Sequence, residues 1–573
     1  MKDMTLVNQP ISAVVGRLDD LAVGTMQLVK VRGRQVMLVR TSTGVHALDN
    51  ACPHQGYGLT TGTLTLTDGA DGSPDGDALV TCMWHNWKFR TSDGACVLGE
   101  EDVAVHTVRI EDGDIIVDVE VPSETEQRMR LWPSLRSAIE RDYQGQIARD
   151  TTRLLLNGAT PAEIIATAVA VGAPKADDGV GHETAMAADC LALAESRTDT
   201  DRVLPLVQAI TGISETTRDR EARDAPALRP DVDIADAIAA EDVDLAMAAV
   251  AGALGTDMPA ATIRSRFIHA AASHHYDYGH GAIYTQKVFE LLERIGWHHA
   301  IDVLPHHAAG LALGTREDTL PYMRQSARTI AEADLTAMAA APDRRITGGQ
   351  SDALMVALLD AQDAPMTECI AAAIDGAGVE GLLDAVSLAA AHRLLRHDLD
   401  VEFDHDEPFG WLDITHALTY ANAARWAWRH DPGPHTARLA LWAAWLAYDS
   451  GRSERRHGGY ATPAIIAATG DLRQAVRCYR HDDAVAFALG GTVDDVHDQL
   501  TRAALDDRSG AFIVVAHLVK TAHAAAAEAR ATGSMMPLAG AARFIAAPRM
   551  ERFVAATVNE AISFVTTGRT PRR

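Results

Sequence analysis

Two short cysteine–histidine pairs lie within the first hundred residues of this 573-residue chain. One residue separates Cys52 from His54, and two residues separate Cys82 from His85. A cluster of two irons and two sulfides can be held when one iron takes two thiolates and the other takes two imidazoles. Short spacers let both side chains of a loop reach one cluster, so these four residues predict a [2Fe-2S] site. A mononuclear zinc site uses the same ligand types and stays open as an alternative.

The segments that follow the two pairs, Gln55-Gly56 and Asn86-Trp87-Lys88-Phe89, resemble those of Rieske ferredoxins and of oxygenase ferredoxin components. The resemblance covers roughly residues 10–120 and implies a one-electron carrier supplied by an NAD(P)H-dependent reductase or a ferredoxin. Respiratory-chain Rieske proteins have an additional cysteine in each ligand loop. Here Cys96 is the only other cysteine nearby, so the resemblance is to the ferredoxin type.

Residues 1–121 are predicted to form a small all-β domain around these loops. Between His54 and Cys82 the turn-rich segment 68–77 is interpreted as a solvated insertion. Alternating or β-branched runs predict strands at residues 26–32, 35–40, 79–81, 88–91 and 115–121.

Composition and charge narrow the functional classes. A net charge of −26 disfavours nucleic acid and an anionic membrane surface as partners. Six cysteines, no apolar N-terminal segment and no hydrophobic run of 18 residues predict a soluble protein in a reducing compartment, and we expect a cytoplasmic location.

Beyond residue 121 the composition changes to one rich in Ala, Leu, Asp and Arg. Residues 122–573 are therefore predicted to form a large all-α domain, so the chain as a whole is multidomain. Thr160-Pro161-Ala162-Glu163 is a clear helix start, since Thr can cap, Pro suits the first turn and Glu can reach back.

Four segments of this domain share one layout, in which a helix opening on histidine is flanked by apolar helices. The marker histidines are separated by 98, 136 and 101 residues, and they are His182, His280, His416 and His517. The pattern predicts about four internal helical repeats.

The two middle repeats hold the densest set of possible metal ligands. Asp/His pairs at i, i+3 project onto one helix face, as in carboxylate–imidazole metal sites of helical bundles. We predict a second, non-haem iron site with ligands or orienting partners among His274, His275, Asp277, His280, His397, Asp413 and His416. Tyr284 and Tyr420, each four residues after a marker histidine, are candidate proton donors or packing residues.

Joined to a one-electron donor, such an iron site predicts an oxidoreductase that oxidises a small organic substrate with dioxygen. The segments Thr415-His-Ala-Leu-Thr-Tyr and His517-Leu-Val-Lys-Thr resemble questin oxidase-like helical proteins, which implies oxidative cleavage of a polyketide-type aromatic ring. Two alternatives stay open. The helical array could be a non-catalytic docking module for a Rieske electron carrier or redox sensor, or two histidines could hold a haem.

Overall fold

The computed structural model describes residues 11–66, 78–119, 122–256, 258–344, 349–404, 407, 409–460, 462, 470–506, 511–549 and 566. The insertion predicted at residues 68–77 lies outside the described residues. Contacts divide the chain into two compact units. One runs to Ala138 and includes Tyr143–Thr160; the other comprises Ile139–Asp142 and the chain from Pro161 onward.

The described residues of the first unit form ten antiparallel strands in two sheets. A six-stranded sheet has the order β1-β10-β9-β4-β3-β2, and a four-stranded sheet has the order β5-β6-β7-β8. The strands are β1 (Ile11–Arg17), β2 (Met26–Val31), β3 (Arg34–Arg40), β4 (Val45–Asp49), β5 (Thr63–Leu66), β6 (Ala78–Thr81), β7 (Lys88–Arg90), β8 (Cys96–Leu98), β9 (Val105–Glu111) and β10 (Asp114–Val119). The five predicted strands correspond to β2, β3, β6, β7 and β10.

Two hydrophobic cores support this unit. One lies around Val36, Leu38 and Val117, where the alternation of β3 and β10 directs aliphatic side chains inward. The other contains Cys52, Cys82, Trp87 and Phe89. Both cysteine–histidine loops therefore emerge from a rigid core, with the cysteines on its buried side.

Beyond β10 the described residues form a large helical region, as predicted. Its α-helices are α1 (Glu124–Glu140), α2 (Gln144–Leu156), α3 (Pro161–Gly172), α4 (His182–Ser196), α5 (Val203–Thr217), α6 (Ile234–Ala239), α7 (Val243–Leu254), α8 (Ala260–Ser273), α9 (His280–Ile295), α10 (Ala300–Leu313), α11 (Arg324–Ala331), α12 (Leu335–Ala340), α13 (Gly349–Asp360), α14 (Met366–Ala372), α15 (Gly378–Arg396), α16 (Leu399–Glu402), α17 (Trp411–His430), α18 (Pro434–Asp449), α19 (Arg452–His457), α20 (Leu472–Arg477), α21 (His481–Gly490), α22 (Val493–Leu505), α23 (Phe512–Thr532) and α24 (Met536–Ala546). Helix α3 begins at Pro161, as the start signal predicts.

Four of these helices form the centre of the second unit. Helix α4 packs against α9 and α23, and α17 also packs against α9 and α23, so the four close into a ring. Further helices of the same unit pack against these four, among them α5 against α4 and α15 against α17. Because α17 and α23 pack against several helices each, they bury residues around most of their circumference rather than on one stripe.

Among the described residues, α23 is the one helix whose length and hydropathy would suit a membrane span. This differs from our expectation that the chain has no apolar run of 18 residues. In the structure, 78% of the apolar window is buried inside the protein. The apolar sequence of α23 is explained by its place in the bundle.

Candidate metal centres

The two cysteine–histidine loops of the β unit have the same backbone construction. The Cys52 amide donates to the Tyr57 carbonyl at 2.8 Å, and the Cys82 amide donates to the Trp87 carbonyl, also at 2.8 Å. In each loop the residue four positions after the cysteine has a positive φ: 77° at Gly56 and 62° at Asn86. Glycine and asparagine tolerate this left-handed conformation better than other residues. The loops thus turn back on themselves and present their side chains in matching ways.

The four predicted ligands come together at the tips of these loops. The rings of His54 and His85 lie 4.3 Å apart between centroids, and Trp87 stacks on His54 at 4.9 Å. Cys52 and Cys82 are buried behind them. Burial raises the pKa of the Cys52 thiol to about 11, and the neighbouring Cys82 raises it further. Bound iron supplies the positive charge that keeps such thiols ionised. Two inner sulfurs and two outer nitrogens fit the donor set of a [2Fe-2S] cluster with mixed ligands.

Helix α2 contacts the first ligand loop. The guanidinium of Arg149 donates to the carbonyl oxygen of His54 at 3.3 Å and forms an ion pair with Glu101 at 3.1 Å. Arg153 also pairs with Glu101. A positive charge is therefore held beside one of the histidine ligands by a fixed network.

A second site lies in the helical unit, where the four marker histidines meet. Their Nε2 atoms approach pairwise: His280 and His416 at 2.8 Å, His416 and His517 at 3.3 Å, and His517 and His182 at 3.4 Å. One nitrogen from each ring lies within 4.8 Å of every other. Four nitrogens around a tetrahedral metal at 2.0–2.1 Å would be about 3.3 Å apart. The spacing therefore suits one metal ion bound by four imidazoles.

Contacts on the opposite edges of the rings direct the Nε2 atoms inward. Nδ1 of His517 donates to the Ile513 carbonyl at 2.7 Å, so Nε2 of this neutral ring carries a lone pair. The hydroxyl of Tyr284 lies 2.8 Å from Nδ1 of His182. Such contacts behind metal-binding histidines fix the tautomer and the orientation of the ring.

The surroundings favour neutral imidazoles. Burial lowers the pKa of His416 to about 3, and it holds the pKa values of His182, His280 and His517 well below the usual range. Lys520, one turn beyond His517 on α23, lowers these pKa values further. Its own pKa is lowered by burial to about 7, and its Nζ has no hydrogen-bond partner among the described residues. Neutral imidazole is the form that binds metal.

The structure distributes the residues predicted for the second iron site over several places. His280 and His416 belong to the four-histidine cluster. The other five contact different groups: His274 lies 2.9 Å from Asp318, His275 lies 3.2 Å from Glu317, Asp277 accepts from the Thr315 amide at 3.1 Å, His397 lies 3.2 Å from Glu402, and Asp413 accepts from the Gly410 amide at 3.0 Å. These carboxylates cap backbone or pair with histidines, because a buried polar group needs a partner.

The two candidate tyrosines also differ in position. Tyr284 touches the cluster through His182. Tyr420 is fully enclosed, its ring 5.4 Å from that of His275 and packed where a side chain on Gly279 would collide with it. Tyr420 therefore has the contacts of a packing residue, whereas Tyr284 has those of a residue that orients a ligand.

Sequence reasoning about the iron site omitted His182 and His517. The signal that could have found them was the repeat pattern, since all four cluster members are its marker histidines. Pairs at i, i+3 draw attention to residues on one helix, but this cluster takes one residue from each of α4, α9, α17 and α23.

The β unit, with its two loops and mixed sulfur–nitrogen donor set, defines an iron–sulfur electron-transfer domain. Residues 12–109 match the family model for the Rieske [2Fe-2S] domain. The chain belongs to this family through its N-terminal domain, which carries a [2Fe-2S] cluster.

The proteins similar to this domain include ferredoxins. The chain is 30% identical over 112 residues to the ferredoxin component of the alkene monooxygenase system of Xanthobacter autotrophicus, covering 19% of this chain and 83% of the relative. Among solved structures it is similar to the ferredoxin of carbazole 1,9a-dioxygenase from Nocardioides aromaticivorans IC177, with 24% identity, coverage of 19% and 98%, and a TM-score of 0.17. It is also similar to a ferredoxin of Sphingomonas yanoikuyae B1, with 21% identity, coverage of 19% and 99%, and a TM-score of 0.16.

Proposed function

We propose that this protein is an oxidoreductase in which the Rieske cluster supplies electrons to iron bound by His182, His280, His416 and His517. The iron site oxidises a small organic substrate with dioxygen. The convergence of four neutral imidazole nitrogens at metal-binding spacing is the observation that carries the proposal.

The tethered electron donor favours iron at the helical site. Imidazole ligands suit zinc, copper, nickel and iron. Zinc has no redox chemistry, so a one-electron carrier in the same chain would have no purpose beside it. Fusion raises the effective concentration of donor and acceptor for each other, which suits repeated one-electron transfers.

The electron count is consistent with this division of labour. One mono-oxygenation consumes a dioxygen molecule, two electrons and two protons; one oxygen atom enters the substrate and the other leaves as water. The cluster gives electrons singly, so it must be reduced twice per turnover. Iron bound by the four histidines would supply the redox chemistry that lets dioxygen react with the substrate. The chain holds the four rings neutral and oriented, with His182 fixed by Tyr284 and His517 by the Ile513 carbonyl.

Partners and location follow from the same scheme. One relative named above is the ferredoxin component of an alkene monooxygenase system, which supports an external NAD(P)H-dependent reductase or ferredoxin as the donor to this cluster. We also propose that the four helices with marker histidines derive from internal repeats, and that the protein works in the reducing cytoplasm.

Iron and acid-labile sulfide per chain, with low-temperature EPR of anaerobically purified protein, test the proposal. We expect two sulfides, more than two irons and a Rieske signal on reduction. Two irons with only the Rieske signal would support a carrier with a docking module instead. A Soret band would identify haem in place of the four-histidine iron site.

A further inference from the structure

A polar pocket of about 340 Å³ opens in the helical unit on one side of α18. It combines aromatic side chains with guanidinium groups, and its lining includes Tyr322, Trp445, Tyr448, Arg452, Arg455 and Arg456. Pockets of this size accept small organic molecules. Neither the cluster loops nor the four histidines line it.

The three arginines of this pocket outnumber its two lining carboxylates, Asp363 and Asp449. Arg452 lies 3.3 Å from Asp449 and donates to the Tyr278 hydroxyl at 3.0 Å. Its Nε is buried and has no hydrogen-bond partner among the described residues. Arg455 donates to the Tyr448 carbonyl at 2.9 Å, an uncharged acceptor. A buried donor without a partner is costly, and an anionic ligand would supply the missing acceptor.

Flat side chains accompany these charges. The rings of Tyr322 and Trp445 lie 6.0 Å apart between centroids. The guanidinium of Arg455 lies 3.9 Å from the centre of the Tyr448 ring, in cation–π geometry. A ligand with an aromatic ring can stack on these faces while its anionic group meets the arginines.

Tyr278 connects the pocket to the four-histidine cluster. Its hydroxyl accepts from Arg452, and its ring centroid lies 6.1 Å from that of His416. Asp277 and Tyr278 both have positive φ, 43° and 56°, just before His280. Consecutive non-glycine residues in this region are uncommon and mark a constrained segment. The backbone of Tyr278 is held there by Glu317, which accepts from its amide at 3.1 Å.

We propose that this pocket binds an aromatic organic anion, with a carboxylate or phenolate group held by Arg452 and Arg455. This proposal rests on the proposed function: it names aromatic organic anions as the class of substrate, which would reach the iron site from the side of Tyr278. Asp449 pairs with Arg452, which leaves Asp363 as the other carboxylate of the lining, so three arginines favour an anionic over a cationic ligand.

Calorimetric binding of 2-naphthoate and of its uncharged analogue 2-naphthamide to the full chain tests the inference. We expect naphthoate to bind at least tenfold more tightly than naphthamide, with an affinity that falls as salt rises. Arg452→Gln and Arg455→Gln should each weaken naphthoate binding at least tenfold. Arg455 donates to a backbone carbonyl, whereas Arg452 also pairs with Asp449 and Tyr278, so the Arg455 variant serves if Arg452→Gln fails to fold. Arg477→Gln is the matched control, since Arg477 lies on α20 outside the pocket with a 59% exposed side chain.

Equal binding of the two probes, or naphthoate affinity unchanged in both pocket variants, would overturn the inference. Binding needs neither iron nor turnover, so it is separable from the proposed function. Arginine-dependent naphthoate binding to a protein with only two irons would support the anion site and refute the iron site. Extra iron without naphthoate binding would refute the anion site alone.

Discussion

Nε2 of His280 lies 2.8 Å from Nε2 of His416, although 136 residues separate them in the chain. Both rings are neutral in their surroundings, since burial lowers the pKa of each. Two unprotonated nitrogens so close repel each other unless a proton or a cation lies between them. With His182 and His517 completing the group, a metal ion satisfies all four at once.

His182 and His517, which the prediction from sequence omitted, provide the sharpest test of the four-histidine iron site. His182→Ala and His517→Ala should each lower the iron content to two per chain, because each removes one of four ligands. The Rieske EPR signal should survive, since its ligands lie in the other unit. His274→Gln is the control, because His274 pairs with Asp318 outside the cluster. If the His274 variant lost the extra iron while the His182 and His517 variants retained it, the assignment of the iron to the four-histidine cluster would be wrong.

The reciprocal variants test the β unit. Cys82→Ala removes a ligand from the iron held by thiolates, and His54→Ala removes one from the iron held by imidazoles. Each variant should therefore abolish the Rieske EPR signal and the labile sulfide. We expect the iron bound by the helical unit to remain. Metal analysis and EPR on the same sample separate the two pools. Persistence of the Rieske spectrum in either variant contradicts the ligand assignment.

Arg149→Gln should lower the reduction potential of the cluster. The guanidinium beside the His54 carbonyl favours the reduced cluster, which carries one more negative charge. We expect a fall of about 30 mV, roughly a threefold change in equilibrium constant for a one-electron couple. Redox titration followed by EPR measures it. Arg153→Gln is the matched control for Arg149→Gln, because Arg153 also pairs with Glu101 but has no hydrogen bond to His54 in the described structure. An equal shift in both variants would show that only the net charge matters.

Glu528 anchors a buried polar layer between helices of the bundle. It accepts from Arg425 at 3.0 Å and from Asn422 at 3.0 Å, and it is fully enclosed. Glu528→Gln removes one of three carboxylates around Arg425, of which Glu380 and Asp384 remain. It should lower the free energy of unfolding by about 2 kcal/mol, the typical value for a hydrogen bond to a charged group, measured by urea denaturation. Asp494→Asn, which removes an exposed partner of Arg530, should change stability little. Equal stability of the Glu528 variant and wild type would rule out this anchoring role.

His307 should make the helical unit sensitive to acid. It lies 2.9 Å from the Thr285 hydroxyl, and burial lowers its pKa from 6.5 to about 3. Below pH 6.5 the unfolded chain therefore binds a proton that the folded chain does not, and stability falls as pH decreases toward 3. At pH 5 the loss from this residue is about 2 kcal/mol relative to pH 7.5.

His307→Gln should reduce that acid sensitivity. The difference between urea midpoints at pH 7.5 and pH 5 should be smaller in the variant than in wild type. His430→Gln is the control, because His430 is exposed and its Nδ1 donates to the Trp426 carbonyl of its own helix. Identical pH dependence of wild type and the His307 variant would refute the assignment.

The sequence by itself determined the iron–sulfur domain and the helical class of the remainder. Each cluster loop brings its own cysteine and histidine, so the ligands of one loop are neighbours in the chain and their spacing is visible. The strands that support them alternate with period two, and α3 starts where Thr160 and Pro161 predict. These are local features that depend on a few consecutive residues.

Only the tertiary structure decided the partners of the helical histidines. Sequence spacing can pair residues on one helix face, which is how Asp277 and His280 came to be grouped. It cannot report that Asp277 turns to the Thr315 amide, or that His280 meets His182 and His517. Those choices depend on how α4, α9, α17 and α23 close into a ring, and that packing is set by burial over whole helices rather than by residues near each histidine.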